Sequence, residues 1–387
     1  MAQNKPATPA TPRRRLSWND PFTRGIIYQV LILGVLGFCV WYLVSNTLHN
    51  LAVRNISTGF DFLHREAGFA IGESDLAYSP SDSYGRAILV GLVNTLKVAV
   101  IGIIAATVFG TLLGIARLSK NWLVSRLAGA YVEVMRNVPL LLQLFFWYAL
   151  ITETLPGPRQ ALNPMSGVFL SNRGLKLPTL QGDAMDWIFV GLGIAVVLWV
   201  LMAHWARRRL ERTGVPFPTL RVGVLLLFLI PALALFISPT PLALDLPRLQ
   251  GFNFVGGVTV SPEFAALLAG LITYTSAFVA EVVRSGIQSV GKGQWEAAQA
   301  LGLSRARMMR LVVLPQALRV IVPPMTSQYL NLTKNSSLAV AIGYPDIVSV
   351  VNTTLNQTGQ AIEGILIIMA AYLTVSLSIS VFMNWYN

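Results

Sequence analysis

The feature that most constrains this chain is a series of apolar runs, each long enough to cross a lipid bilayer. A hydrocarbon layer of about 30 Å takes about 20 residues at roughly 1.5 Å of helical rise each. Such runs occupy about 25–45, 88–116, 131–151, 187–205, 222–238, 263–283, 320–343 and 362–383. The pattern predicts an all-α, polytopic membrane protein with about eight transmembrane helices. The second run is overlong for one span, which predicts tilt or extension past the bilayer. The fifth is interrupted by Pro231, and the seventh opens with Pro323-Pro324 and carries Lys334. Composition supports this reading, because 54% of the 387 residues are hydrophobic and only 12% are charged. A soluble domain carries about 25% charge, and a disordered chain is charge-rich and poor in apolar residues. Both classes are excluded.

The net charge of +12 would ordinarily suggest a nucleic-acid partner. Its distribution argues for a membrane instead. With the N-terminus placed inside, nineteen Lys and Arg fall in inside segments and seven outside, while Lys97, Arg136 and Lys334 lie at or within the bilayer. Basic residues accumulate on the cytoplasmic side, so both termini are expected there, with no nucleic-acid partner. The first run is too long for a cleaved signal and no small-x-small site follows it. A bulky Phe38 before Cys39 also argues against a lipoprotein. That lone cysteine and the scattered His49, His64 and His204 predict neither an internal disulfide nor a metal site. Residues 1–24, with Pro6, Pro9 and Pro12, are expected to form a disordered cytoplasmic tail whose Arg13-Arg14-Arg15 leans on anionic lipid. Trp187 and Trp385 at span ends are expected in the interface belts. The outside loop 46–86 holds Asp61, Glu66, Glu73, Asp75 and Asp82, and the outside loops 152–186 and 239–261 are rich in Pro, Gly and Asn. The chain stops at Asn384-Trp385-Tyr386-Asn387 without the basic flank that usually closes an inward-exiting helix, which predicts a further short tail.

One inside loop, 284–319, departs from the usual short polar connection. Two helix-like stretches are separated by Gly302 and Leu303, with Ser304 placed as an N-cap for the second. In the first, Trp295, Ala298 and Leu301 or Gly302 share a face. In the second, Met308, Leu311, Val312 and Pro315 share one, opposite Arg305, Arg307 and Arg310. Small residues at Ala297, Ala298 and Gly302 suit close approach by another protein surface. The stretch is apolar enough to need a partner and too basic to lie in lipid. A plain amphipathic surface helix is the blander alternative; Glu296 and the alanines fit it poorly.

The spacing Glu296-Ala297-Ala298, three residues, Gly302, nine residues, Val312, one residue, Leu314-Pro315 resembles the EAA loop of ABC importer permeases, with Val312 where the family has Ile. The stretch from Tyr131 through Glu133, Arg136, Asn137, Pro139 and Gln143 to Tyr148 resembles the third-helix signature of the polar amino acid branch, and the larger arrangement of spans resembles permeases of general L-amino acid importers. Two further matches are Ala280-Glu281-Val-Val-Arg284-Ser-Gly286 and Asn331-Leu-Thr-Lys334-Asn335-Ser336. The resemblance implies a five-helix core over 88–151 and 262–387. The first helix and long loop of 25–87 would be an addition, 152–261 an inserted transmembrane hairpin with its loops, and 284–319 the cytoplasmic coupling loop. It implies a non-enzymatic permease of a bacterial inner membrane that carries polar or varied L-amino acids from periplasm to cytoplasm. It further implies an ABC ATPase dimer that binds ATP and Mg, a second and related permease subunit, and a periplasmic amino acid-binding protein. The chain itself has no G-x-x-x-x-G-K-[ST] loop and needs no cofactor of its own. Glu296, Ala297, Ala298, Gly302, Leu314 and Pro315 would couple to the ATPase.

Charges at membrane depth supply the remaining candidates, since a lysine at the bilayer centre costs about 2.5–3.5 kcal/mol on insertion scales. Lys334, about fourteen residues into span seven, shares a polar face with Gln328, Asn331 and Asn335. This face is the candidate substrate pathway, with Lys334 receiving an α-carboxylate. The competing reading pairs Lys334 with an acid such as Glu281. Glu133, Arg136, Glu281 and Arg284 are expected as gate or scaffold groups, with Glu133 and Arg136 an i, i+3 ion pair. Lys97 is expected to snorkel outward without a role. Carriage of another small polar solute such as an opine, a secondary transporter or channel, and a membrane enzyme remain the alternatives. The last two would show inverted repeats with unwound helices, or clusters of acids and histidines, and neither is present in the sequence.

Overall fold

A computed structural model describes residues 21–53, 59–180, 184–239 and 243–386. The predicted tail and its arginine triplet lie outside the described residues, apart from 21–24, which open the first helix. In chain order the described helices are α1 (Pro21–Val53), α2 (Tyr84–Arg117), α3 (Trp122–Asn137), α4 (Leu140–Thr154), α5 (Ala184–Thr213) and α6 (Thr219–Ile237). They continue with α7 (Pro262–Gln288), α8 (Lys292–Ala300), α9 (Arg305–Met308), α10 (Leu314–Asn335), α11 (Ile347–Thr358) and α12 (Ala361–Tyr386). Seven helical segments are long and apolar enough to cross a bilayer, and the bent pair α3–α4 makes an eighth.

The centre of the fold is α7, 56% of whose most apolar window is buried. Leu267 and Leu271 of α7 pack with Leu140 and Leu144 of α4, Val98 of α2 and Tyr344 in one core, and α10 packs along α7 through Ile321 and Ala317. The α2–α7 seam is set by small residues. A Cβ on Gly110 would lie 2.6 Å from Val279 and 2.7 Å from the Ser276 carbonyl; one on Gly114 would lie 2.8 Å from the Ala280 carbonyl. Without water to drive apolar contact, spans associate by such close backbone approach. By contrast, α1 buries none of its apolar window, and α5 packs on α6 through Gly191 against Pro231. Pro231 does not break α6, which stays helical over 219–237.

Three departures from the sequence reading are structural. The third span is not straight: its two halves meet at 105°. Pro139 drives Val138 into extended backbone (φ −90°, ψ 125°), because its ring crowds an α-helical predecessor. Gln143 Nε2 then donates to the carbonyls of Met135 and Val138, both at 3.0 Å, satisfying groups freed at the break. Span seven begins at Arg305, not near 320, and runs to Ile342 through a π-helical turn at Met309–Val313 and a 3-10 turn at Ser336–Ile342. Finally, the loops flanking the α5–α6 hairpin contain sheet. Strands β1 (Leu162–Met165), β2 (Val168–Ser171) and β3 (Gly174–Leu177) form a meander. Strands β4 (Thr179–Leu180) with β5 (Leu244–Asp245), and β6 (Arg248–Gln250) with β7 (Asn253–Val255), make two small ribbons. Strand β8 (Val258–Val260) closes the meander, Leu175 pairing Val260, and so joins the two loops flanking the α5–α6 hairpin.

Loop 59–83 is tied to the core. Lys97 Nζ donates to Glu73 at 3.1 Å and Asp75 at 3.0 Å and lies 4.7 Å over the Phe264 ring; Ser261 Oγ donates to Glu73 at 2.5 Å. Lys97 therefore has two carboxylate partners in loop 59–83 that sequence reading did not assign. Below it, Asp346 caps α11 by accepting from Ser349 N at 2.8 Å and is fully buried between spans. Burial pushes its carboxyl up to about 7. A raised folded-state pKa means the folded protein binds the extra proton, so stability is lost as pH climbs from about 4 through about 7. Asp346→Asn keeps a capping oxygen and removes that loss. The variant is expected to match the native chain near pH 4 and to be more stable at pH 8, by up to about 4 kcal/mol for a shift of this size. Thermal midpoints in detergent at the two pH values check this.

Candidate functional site

Loop 284–319 is built as a knuckle between α7 and the seventh span. Helix α8 closes with Gly302 at φ +70°. Gly302 N donates to the Gln299 carbonyl at 2.9 Å and Leu303 N to the Ala298 carbonyl at 3.2 Å. This left-handed ending satisfies the last carbonyls and is open to glycine because it lacks a Cβ. Ala298, 3% exposed, packs with Val290, Met308 and Val313, and the partly buried Trp295 and Leu303 pack beside it. Glu296, Ala297, Gly302, Leu314 and Pro315 stay exposed.

Two face assignments are corrected. Ala298, expected to face another protein surface, is buried in the chain's own packing. Leu301, expected beside Trp295 and Ala298, is 79% exposed because α8 ends one residue before it. In the second stretch the π turn inserts one residue, so the buried row runs from Met308 to Val313 and Ala317, while Leu311 and Pro315 are exposed and Val312 is half-buried. Ser304 has the extended backbone of an N-cap, but its side chain accepts no capping bond.

On α10, Asn331 and Lys334 are exposed and Gln328 and Asn335 are half-buried, so the polar face is turned away from this chain's core. Lys334, with Ser337, Val340 and Tyr372, lines a cleft of about 360 Å³. The pairing of Lys334 with Glu281 does not occur. Glu281 instead accepts from Arg117, at the end of α2, and from Arg284 one turn along α7. Arg117 is 164 residues away in sequence and was not anticipated. The expected Glu133–Arg136 pair is also absent from the ion pairs of the described residues. Arg136 lies 5.2 Å over the Phe278 ring, and Asn137 Nδ2 donates to the Glu133 carbonyl. No group of His, Cys, Asp and Glu that could hold a metal occurs among the described residues.

Residues 214–387 match the family model for the binding-protein-dependent transport system inner membrane component. The general L-amino acid transport system permease of Rhizobium johnstonii is 48% identical over 98% of this chain and 97% of its own length. A glutamate/glutamine/aspartate/asparagine transport system permease of Rhodobacter capsulatus is 42% identical over 95% and 94%. The glutamate/aspartate import permease of Escherichia coli is 28% identical over 76% and 83%. A crystal structure of an amino acid ABC transporter with histidines aligns at 21% identity and a TM-score of 0.46, covering 78% of this chain and 94% of that one. Identity of nearly one residue in two, sustained from end to end, shows that this chain belongs to the family of amino acid ABC transporter permeases.

Proposed function

We propose that this permease carries L-amino acids of varied side chain from periplasm to cytoplasm, with both its termini in the cytoplasm of a bacterial cell. Its energy comes from an ATPase dimer that binds ATP and Mg, and its ligand from a periplasmic binding protein. A second, related permease completes the pathway. The names of its relatives support amino acids as cargo, and the basic bias of one side supports the orientation.

The observation that carries the coupling role is the construction of the α8 knuckle. Its outer face, with Glu296 and Ala297, is free among the described residues. Its inner face is packed through Ala298 and Trp295 against α9 and the π turn that open the seventh span. A docked motor that displaces α8 therefore displaces the start of that span with it, since packed elements move together. Gly302 sets the angle of the knuckle, and Leu314-Pro315 opens α10 behind it.

The polar face of Gln328, Asn331, Lys334 and Asn335 is the proposed substrate pathway, its exposure in a single chain fitting a passage shared with the second permease. Lys334 receives the α-carboxylate and the neutral amides meet varied side chains. Glu133 and Arg136, with Glu281 and Arg284, act near the cytoplasmic end as gate or scaffold. In proteoliposomes loaded with ATP and given binding protein outside, Lys334→Met is expected to lower uptake at least tenfold while the ATPase still copurifies. Full uptake with unchanged affinity would remove Lys334 from the pathway, and uptake without ATP would remove the motor.

A further inference from the structure

A cleft of about 1110 Å³ lies away from the α10 face, between the end of α2, α3 and α7. Its walls hold five cations against two acids, a surplus of three. Arg117 and Arg284 are engaged by Glu281. Lys120 and Arg126 make no ion pair among the described residues, and Arg136 meets the Phe278 ring. An amino acid with a neutral side chain brings no net charge to offset this surplus, whereas a phosphate does.

Helix α3 adds a second observation. Arg126, Glu133 and Arg136 line the cleft, while Leu123, Leu127 and Val134 are exposed on another face, and Trp122 at its start is 75% exposed. Leu123, Leu127 and Val134 are spaced at i, i+4 and i+11, which places them on one side of a helix. Meanwhile Ala128 and Val132 are buried, Val132 against Ala277 and Ala280 of α7. A helix with a basic polar face and an exposed apolar face lies in the membrane–water interface. Basic pockets between spans on the cytoplasmic side suit phosphoryl headgroups.

We propose that this cleft holds the phosphoryl headgroup of an anionic phospholipid of the inner leaflet, with Arg126 and Arg136 on the phosphate and the acyl chains along Leu123, Leu127 and Val134. The proposal rests on the cytoplasmic placement of the α2–α3 loop given above. The lipid would bridge α2, α3 and α7 where the Arg117–Glu281–Arg284 cluster joins two of them, and so would bias the position of that end of the permease.

The test is native mass spectrometry of the detergent-extracted importer with its copurifying subunits, titrated with phosphatidylglycerol or phosphatidylcholine. Arg126→Gln/Arg136→Gln is expected to retain one fewer phosphatidylglycerol per permease and to need at least fivefold more for half-saturation, with phosphatidylcholine unchanged. Arg207→Gln/Arg208→Gln, which removes two exposed arginines elsewhere, is expected to behave as the native chain. Should the double variant fold poorly, Arg126→Glu alone serves, because Arg126 is exposed. Equal phosphatidylglycerol retention by native and cleft variants overturns the proposal. So does displacement of the lipid by millimolar inorganic phosphate, which would assign the cleft to a soluble anion. Loss of the ATPase with lipid retention intact would assign it to a protein and likewise overturn it. Placement is read separately. Arg126→Cys in a Cys39→Ser background should resist an impermeant maleimide added outside cells, and labelling from outside would sink the orientation whatever the lipid count.

Discussion

Gly302→Val is expected to cut ATP-driven uptake at least tenfold while leaving the amount of permease in the membrane within twofold. Gly302 sits at φ +70° with no atom within 4 Å of a built Cβ, so the substitution meets no steric obstacle except its own backbone. A left-handed conformation costs an L-residue roughly 1–2 kcal/mol, and β-branching adds to it. The cheapest relief is to open the ending of α8, losing the bonds from Gly302 N and Leu303 N to the Gln299 and Ala298 carbonyls. Freed of that ending, α8 no longer holds Glu296 and Ala297 at a fixed angle to the seventh span. The core of the spans is not touched, so the protein accumulates. Gly302→Asn, which tolerates the left-handed region better, should fall between valine and the native chain. Uptake in ATP-loaded proteoliposomes, normalised to permease content, decides the matter, and native uptake by the valine variant would defeat the coupling role of this turn.

Gly110→Leu should have the opposite character, with failure of assembly in place of failure of coupling. Here the obstacle is outside the residue, because the nearest atoms to a Cβ include the Ser276 carbonyl at 2.7 Å, which is backbone of α7 and cannot rotate away. Overpacking a yielding core costs about 1–3 kcal/mol, and a helix axis forced outward forfeits the contacts of the whole seam as well. The permease is expected at less than a tenth of its native level in membranes. Gly193→Leu on α5, with nothing within 4 Å of its Cβ, is expected at the native level. Immunoblots of membrane fractions separate the two, and equal levels would show that the α2–α7 seam tolerates a side chain.

These two glycines differ in how visible their roles are in the sequence. Gly302 stands at a fixed spacing from Glu296 and ends an apolar-periodic stretch, so a left-handed turn there follows from local pattern. Gly110 and Gly114 form a small-xxx-small pair that names a close helix contact, yet nothing local says that α7 is the partner. The ion pairs follow the same division. Glu281 and Arg284 are one turn apart and do pair, whereas the Arg117 that shares Glu281 comes from another helix. Glu133 and Arg136 have the same local spacing and do not pair, because Phe278 of α7 offers Arg136 a ring. Lys97 likewise found Glu73 and Asp75 only once loop 59–83 was folded over α2.

The sequence by itself determined the spans and the knuckle. Bilayer thickness sets a length that any crossing helix must meet, and the Glu296-to-Pro315 pattern is carried by residues close along the chain. What only the tertiary structure decided are the features that depend on which elements meet. The π turn at Met309–Val313 moves the buried row by one residue, from Val312 to Val313, so that it meets α7 and α8. Strand β8 joins two loops separated by a whole helical hairpin. Each of these trades a local preference for contacts between residues far apart in sequence, and periodicity within one segment contains no information about its neighbours.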